Sequence, residues 1–170
     1  MPLTDFNDSA FLSNLGNSIL ESVSDALVCK SLDVPQRRFV GFNRPAQDCC
    51  PDLVLWFGNI RVWDGDFPDT RTAGNLLCAN GYSIDATVRI GLCYVDFDAD
   101  GGPLDAQTIG DFSANLNAYG TALYMGWINQ WRAGNVEELV SCDLVNVGPM
   151  TPYYEGGCAG WEFTITVGVM

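Results

Sequence analysis

The sequence predicts an α+β domain in which a four-stranded, mostly antiparallel sheet carries two helices on one face. Three observations support this fold class. Two long stretches repeat apolar residues at spacings of three and four, and others alternate apolar with polar residues. The 170 residues are 48% apolar, which is enough for one core. We expect a single domain over residues 1–170, with residues 1–8 as a flexible N-terminus.

The first helix is predicted over residues 9–28, with Asp8 or Ser9 as its N-cap. Its apolar stripe consists of Phe11, Leu15, Ile19 and Val23. Residues 29–52 are predicted to form an irregular extended loop, because Pro35, Pro45 and Pro51 interrupt any regular element.

The first two strands are predicted over residues 53–63 and 82–94. The earlier one has apolar residues on both faces, which indicates a strand covered on both sides. We expect Leu55 and Phe57 on one face, and Val54, Trp56, Ile60 and Val62 on the other. The later one alternates, with Ser83, Asp85, Thr87 and Arg89 between apolar residues, and so predicts a half-buried strand.

The second helix is predicted from Ile109 to Trp131, where Gly134 and Asn135 end it. Two further strands are predicted over residues 138–147 and 161–169, with a loop at residues 153–160 between them. The expected order of elements is therefore helix, strand, strand, helix, strand, strand.

The composition excludes most familiar catalysis. The chain has no His, so neither a Ser-His-Asp triad nor a Cys-His pair can form. Paired carboxylates could hydrolyse glycosides only in a cleft, and the sequence indicates none. With a net charge of -13 and no basic patch, the chain is not expected to hold nucleic acid. We expect a non-enzymatic protein without a cofactor.

A weak calcium candidate lies at Asp96, Asp98 and Asp100, where the spacing resembles the start of an EF-hand loop. Gln107 stands at the position that requires a bidentate Glu, and a strand precedes the loop. We therefore favour an exposed turn, with Asp105 capping the next helix. A small calcium- or zinc-binding module remains the alternative of another functional class.

The seven cysteines include no Cys-x-x-Cys spacing, so a zinc site would need Cys49, Cys50, Cys78 and Cys158 to meet in space. The N-terminus lacks the pattern of a signal peptide, and no segment approaches the length of a membrane span. We expect a chain made and kept in a reducing cytoplasm, with most thiols free and no membrane partner.

Several motifs together resemble a known family over roughly residues 45–170. They are Cys49-Cys50-Pro51 before a strand, Asp66-Phe67-Pro68, Val147-Gly148-Pro149, and the run Gly156-Gly157-Cys158-Ala159-Gly160-Trp161-Glu162 that enters the last strand. The chain resembles small neck and tail-completion proteins of long-tailed actinobacteriophages, and within that class the element order looks most like a tail terminator.

The resemblance implies a structural virion protein, assembled in the host cytoplasm, that forms a hexameric ring at the head–tail interface. Its partners would be further copies of itself, the tail tube protein and a head–tail connector or stopper. DNA would pass an acidic lumen without specific binding, which agrees with the net charge. A head-to-tail stopper or adaptor of the same neck is the alternative.

Overall fold

The computed structural model describes residues 9–45, 51–63, 81–94, 101–136, 139, 144–155 and 157–169. The elements are α1 (Ser9–Cys29), β1 (Arg37–Gly41), β2 (Asp52–Trp63), β3 (Gly81–Cys93), α2 (Ala106–Thr121), a π-helical turn (Ala122–Gly126), α3 (Trp127–Arg132), β4 (Leu144–Val147), β5 (Thr151–Glu155) and β6 (Cys158–Val169). The predicted residues 1–8 and the loop before β3 lie outside these ranges.

The α+β class is confirmed, but the part of the sheet that the structure describes has six strands rather than four. Its order is β1-β2-β3-β6-β4, and β5 also pairs with β6. Among the described strands, the β1–β2 pair is parallel and the other four pairs are antiparallel. The two long central strands, β3 and β6, pair over their whole length, so they form the backbone of the sheet.

The helices pack on one face of the sheet, where they bury alternate residues of the strands. This core joins Leu15, Ile19 and Val23 of α1 to Val88 and Ile90 of β3. The packing is close at Gly126, where an added Cβ would lie 2.7 Å from the Cβ of Ala26. The first helix therefore sits as predicted, and glycine permits the near approach of the two helical segments.

The second helix is one rod interrupted by a π-helical turn. Tyr119, Leu123, Trp127 and Trp131 follow one another at intervals of four, which is longer than the 3.6-residue α-helical repeat. In a regular α-helix, side chains at intervals of four would move gradually around the helix axis. The wider π-helical turn offsets this rotation, and Tyr119, Leu123 and Trp127 are all buried. The rod ends as predicted at Gly134, which has a positive φ of 77°. Asn135 N donates to Gln130 O and Gly134 N to Trp131 O, the Schellman pattern.

Two strands fall where irregular chain was predicted. β1 lies inside residues 29–52, and β5 lies across the predicted break and loop. α1 packs closely on β1, because a Cβ at Gly16 would lie 2.7 Å from Val40 Cγ1. β5 contains Pro152 and pairs with β6, which is the outer position that proline tolerates.

The face assignment of Ile60 was wrong because β2 contains a bulge between Phe57 and Ile60. The irregularity places Ile60 opposite Ile84, on the helix-covered face. The prediction that β2 is covered on both sides is confirmed, since Leu53 to Phe57 are all buried.

The expectation of a half-buried β3 holds only in part, because Asp85 and Thr87 are partly exposed but their neighbours on that face are not. Ser83 and Arg89, on the face away from the helices, are fully buried. Their neighbours on that face include Asp52 and Trp56 of β2 and Thr166 of β6, which are buried too. The sheet therefore buries polar side chains against one another and against aromatic rings.

Among the helices that the structure describes, none is long and apolar enough to cross a membrane.

Candidate functional site

The predicted calcium ligands Asp96, Asp98 and Asp100 lie outside the described residues, so the calcium hypothesis stays a prediction. Within the described ranges, no group of three or more His, Cys, Asp or Glu side chains is placed to hold a metal ion. The predicted cap at Asp105 is confirmed: Asp105 Oδ1 accepts from Thr108 N at 2.9 Å and Oδ2 from Thr108 Oγ1 at 2.9 Å. These hydrogen bonds lower the pKa of Asp105, the backbone bond most.

An aromatic cluster stands at the end of β3, beside the first half of α2. The ring of Tyr94 lies 4.9 Å from that of Phe112 and 5.6 Å from that of Tyr154, the latter edge-on. Ile109 lies one turn before Phe112 on the same side of α2. Ile109 is 44% exposed and Tyr154 58% exposed. We call Tyr94, Ile109, Phe112 and Tyr154 the aromatic surface.

The charges around the aromatic surface are acidic. Helix α2 carries Asp111 and no basic residue, and Asp105 caps it. Gln107 Nε2 donates to Asp111 Oδ1 at 2.8 Å, and Glu155 pairs with Arg44 at 3.2 Å in an exposed ion pair. An apolar centre with a polar rim is the usual make-up of a protein–protein contact.

A second exposed apolar surface lies at the other end of β3. Ile60 and Tyr82 belong to neighbouring strands and point to the helix-covered side, but they are 52% and 47% exposed. We call this pair the hairpin surface. Tyr82 and Tyr94 stand twelve residues apart on one extended segment, so the two surfaces are separated by roughly 40 Å.

Arg89 forms a buried charge cluster on the face of the sheet away from the helices. Its Nη2 lies 3.4 Å from Asp52 Oδ2. The guanidinium carbon lies 5.5 Å from the ring centre of Trp56 and 5.3 Å from that of Tyr153, so two rings flank the cation. Within the described part of the chain, Arg89 Nε and Nη1 have no hydrogen-bond partner. From the sequence, Arg89 was expected on the polar side of a half-buried strand, because an Arg in an alternating strand carries no signal for burial.

Burial raises the pKa of the Tyr153 hydroxyl well above its ordinary value, although the nearby Arg89 charge opposes this shift. Asp52, Glu162 and Glu155 add to the rise. The phenol therefore stays protonated at physiological pH and offers no anionic nucleophile.

Beyond Arg89, a ladder of polar pairs continues along β3 and β6. Thr87 and Thr164 hydroxyls lie 2.9 Å apart, and Thr166 Oγ1 donates to Asp85 Oδ1 at 2.9 Å. Arg61 Nη2 pairs with Asp85 Oδ2 at 2.5 Å. These groups satisfy one another across strands, which is what structural polar pairs in a sheet do.

An open pocket of about 640 Å³ lies between the segment after α1, the starts of β1 and β2, and the end of α2. Its lining consists of Asp33, Val34, Pro35, Gln36, Arg37, Pro51, Leu92 and Tyr119. Tyr119 Oη donates to Asp33 O at 2.9 Å, and burial raises the pKa of this tyrosine. Among the described residues that line the pocket, no nucleophile stands beside a base.

Of the predicted zinc ligands, Cys49, Cys50 and Cys78 lie outside the described residues. Cys158 is buried and disulfide-bonded, so it offers no thiolate to a metal in this state. Cys29 and Cys93 are exposed. A disulfide takes up two of the seven cysteines, so the expectation that most thiols are free stays a prediction.

No protein-family model matches this chain, and no curated protein matches it significantly.

Proposed function

We propose that this chain is a non-enzymatic structural subunit of a siphophage virion. It forms an oligomeric ring, six-membered by resemblance, that terminates the tail tube and joins it to the head. The observation that carries the self-assembly part of the proposal is the pair of exposed apolar surfaces at opposite ends of β3. The phage part rests on the resemblance of the motifs around the Gly156–Trp161 run.

The two surfaces differ in composition, which favours a head-to-tail contact between copies. The aromatic surface is bordered by Asp105 and Asp111, whereas the hairpin surface consists of Ile60 and Tyr82. A contact between two unlike surfaces is heterologous. Such contacts close into a ring when the rotation from one subunit to the next is a whole fraction of 360°. Tyrosine, which each surface contains, is among the residue types that most often supply the binding energy of protein contacts.

The charge distribution suits a ring through which DNA passes. The chain has 21 acidic and 8 basic residues, which gives a net charge of -13. An acidic lumen would repel phosphates and let DNA slide without adhering.

The test replaces one side chain on each surface by lysine and leaves a matched site as a control. Ile109→Lys alters the aromatic surface and Ile60→Lys the hairpin surface. Met125→Lys is the control, because Met125 is 52% exposed, like Ile60, but belongs to neither surface. Particle mass is measured by sedimentation, for the protein alone and on purified tail tubes, with circular dichroism to verify folding. We expect rings for the wild type and for Met125→Lys, and protomers of 18.5 kDa for the other two.

Mixing the two assembly-defective variants distinguishes a head-to-tail contact between copies from a two-fold symmetric contact. Ile109→Lys keeps an intact hairpin surface and Ile60→Lys an intact aromatic surface. Mixed together, they should form a heterodimer that cannot grow further. A wild type that stays monomeric both alone and on tail tubes would overturn the proposal. Binding to capsids but not to tail tubes would instead assign the chain to the stopper position.

A further inference from the structure

The buried charge cluster around Arg89 contains polar atoms that no protein group satisfies. Within the part of the chain that the structure describes, these buried atoms without a hydrogen bond include Arg89 Nε and Nη1, Tyr153 Oη and Glu162 Oε2. Only Nη2 of the guanidinium pairs with a carboxylate, that of Asp52 at 3.4 Å. Buried polar groups in native proteins are almost always hydrogen-bonded, either to protein or to ordered water. The cluster therefore has the features of a binding site for a small polar ligand.

Arg89 and Glu162 lie directly opposite each other in the β3–β6 ladder. Tyr94 N donates to Gly157 O at 2.9 Å, and hydrogen-bonded and non-hydrogen-bonded pairs alternate along the ladder from there. Arg89 and Glu162 thus form a non-hydrogen-bonded pair, in which the Cβ atoms lie about 4.5–5.5 Å apart. The two side chains therefore leave the sheet side by side, on the face away from the helices.

Tyr153 reaches the same place from β5. Its register partner is Gly160, and a Cβ added to that glycine would lie 2.6 Å from Tyr153 Cε1, so the ring lies directly over the glycine. The ring centre is 5.3 Å from the guanidinium carbon of Arg89. The charges of Arg89 and Glu162 both act on the pKa of the Tyr153 hydroxyl, which shows that the three groups lie near one another. Polar groups of three strands thus converge on one buried position.

The chemistry of these groups selects a neutral ligand that both donates and accepts hydrogen bonds. Arg89 offers only donors, whereas a carboxylate such as Glu162 offers only acceptors. One guanidinium and two carboxyl groups, those of Asp52 and Glu162, meet here, so the balance of charge disfavours an anion. A metal cation is disfavoured too, because the N–H groups of Arg89 would face it with their positive ends. Water meets all of these requirements.

We propose that this cluster is an internal water-binding site. Ordered water accepts hydrogen bonds from Arg89 Nε and Nη1 and donates to Glu162 Oε2, and Tyr153 Oη joins the same network. The water links β5 to the two central strands, because Tyr153 belongs to β5. The next residue, Tyr154, points to the other side of β5 and belongs to the aromatic surface, so the site also holds the strand that carries this residue. The site lies within one protomer, so this inference does not rest on the proposed ring.

A high-resolution crystal structure of the full chain tests the identity of the ligand, with a second crystal soaked in bromide as a probe for anions. We expect a water oxygen at hydrogen-bond distance from Glu162 Oε2 and from Arg89 Nε or Nη1. The bromide soak should give no anomalous peak at this position. The proposal is overturned if bromide occupies the site, or if Arg89 Nε and Nη1 bond directly to protein groups.

Magnetic relaxation dispersion of the water signal measures the number and residence time of long-lived internal waters in solution. Glu162→Leu removes the buried acceptor, whereas the matched control Glu155→Leu removes a carboxylate whose side chain is 49% exposed. We expect the wild type and Glu155→Leu to hold equal numbers of long-lived waters, and Glu162→Leu to hold fewer. Circular dichroism verifies folding.

A milder variant keeps this test decisive if Glu162→Leu does not fold. Tyr153→Phe keeps the ring over Gly160 and removes only the hydroxyl, so it should shorten the residence time of the bound water. Equal numbers and equal residence times of long-lived waters in the wild type and in every folded variant would overturn the proposal.

Discussion

Arg89 is the residue on which the buried polar face of the sheet most depends. Its guanidinium is fully buried, lies between two aromatic rings and has one carboxylate partner, Asp52. Removing a charge of this kind from water costs several kcal/mol, which the ion pair and the ring contacts must offset. The residue was missed as a core residue because charge in an alternating strand ordinarily indicates solvent.

The first prediction concerns this pair. Asp52→Asn should destabilise the fold by about 3–5 kcal/mol, because it leaves the Arg89 charge buried without its anion. The double variant Arg89→Met with Asp52→Leu should lose less, since it removes both charges together. Urea unfolding measures the free energy of unfolding of both variants. Equal losses in the two variants would show that the Asp52 charge does not compensate Arg89.

The second prediction concerns the cap of α2. The pKa of Asp105 is lower in the folded state than its ordinary value of 3.8. Its contribution to stability is therefore fully present above pH 3.8 and is lost as pH falls through the lower folded value. Asp105→Asn keeps a capping side chain without this titration. The stability difference between wild type and variant should shrink on acidification, as chemical unfolding at several pH values would show. A pH-independent difference would contradict the assignment.

At the scale of elements, long periodic segments could be predicted and short ones could not. α1, β2, β3 and β6 all fall close to their predicted ranges, because each repeats a pattern over nine residues or more. β1 has five residues, begins with two arginines and pairs in parallel with β2, so no local pattern identifies it. β5 contains a proline, which sequence reasoning treats as a break.

The same scale explains the misplaced side chains. A period of two assigns faces correctly only while the strand is regular, and the bulge after Phe57 moved Ile60 to the other side. The π-helical turn had the opposite effect. It kept side chains at four-residue intervals on one face of the second helix. Tyr119, Leu123 and Trp127 are therefore buried together, although the helix is not uniformly α-helical.

The third prediction compares two glycines of the second helical rod. Gly126→Ala should cost about 1–3 kcal/mol, because the new Cβ would lie 2.7 Å from the Cβ of Ala26. Gly110→Ala should gain about 0.5–1 kcal/mol, since nothing lies within 4 Å of its added Cβ. Thermal unfolding of both variants shows whether each substitution stabilises or destabilises the protein. Adding Ala26→Gly to Gly126→Ala should recover part of the loss, and no recovery would place the strain elsewhere.

At the scale of the whole molecule, the chain combines a rigid sheet with two unlike apolar ends. Burial on both faces of the central strands fixes the separation of the aromatic and hairpin surfaces. A subunit of a ring needs that property, because small changes in the angle between its two contacts would prevent closure. The strand register is what shows that Tyr82 and Tyr94 lie at opposite ends of the sheet.

The most direct measurement is the composition of the virion itself. Purified virions are analysed by quantitative mass spectrometry, and antibody-bound gold locates the chain by electron microscopy. We expect this chain in every virion at about six copies, with the label at the head–tail junction. Its absence from virions, or labelling confined to another part of the particle, would contradict the central claim.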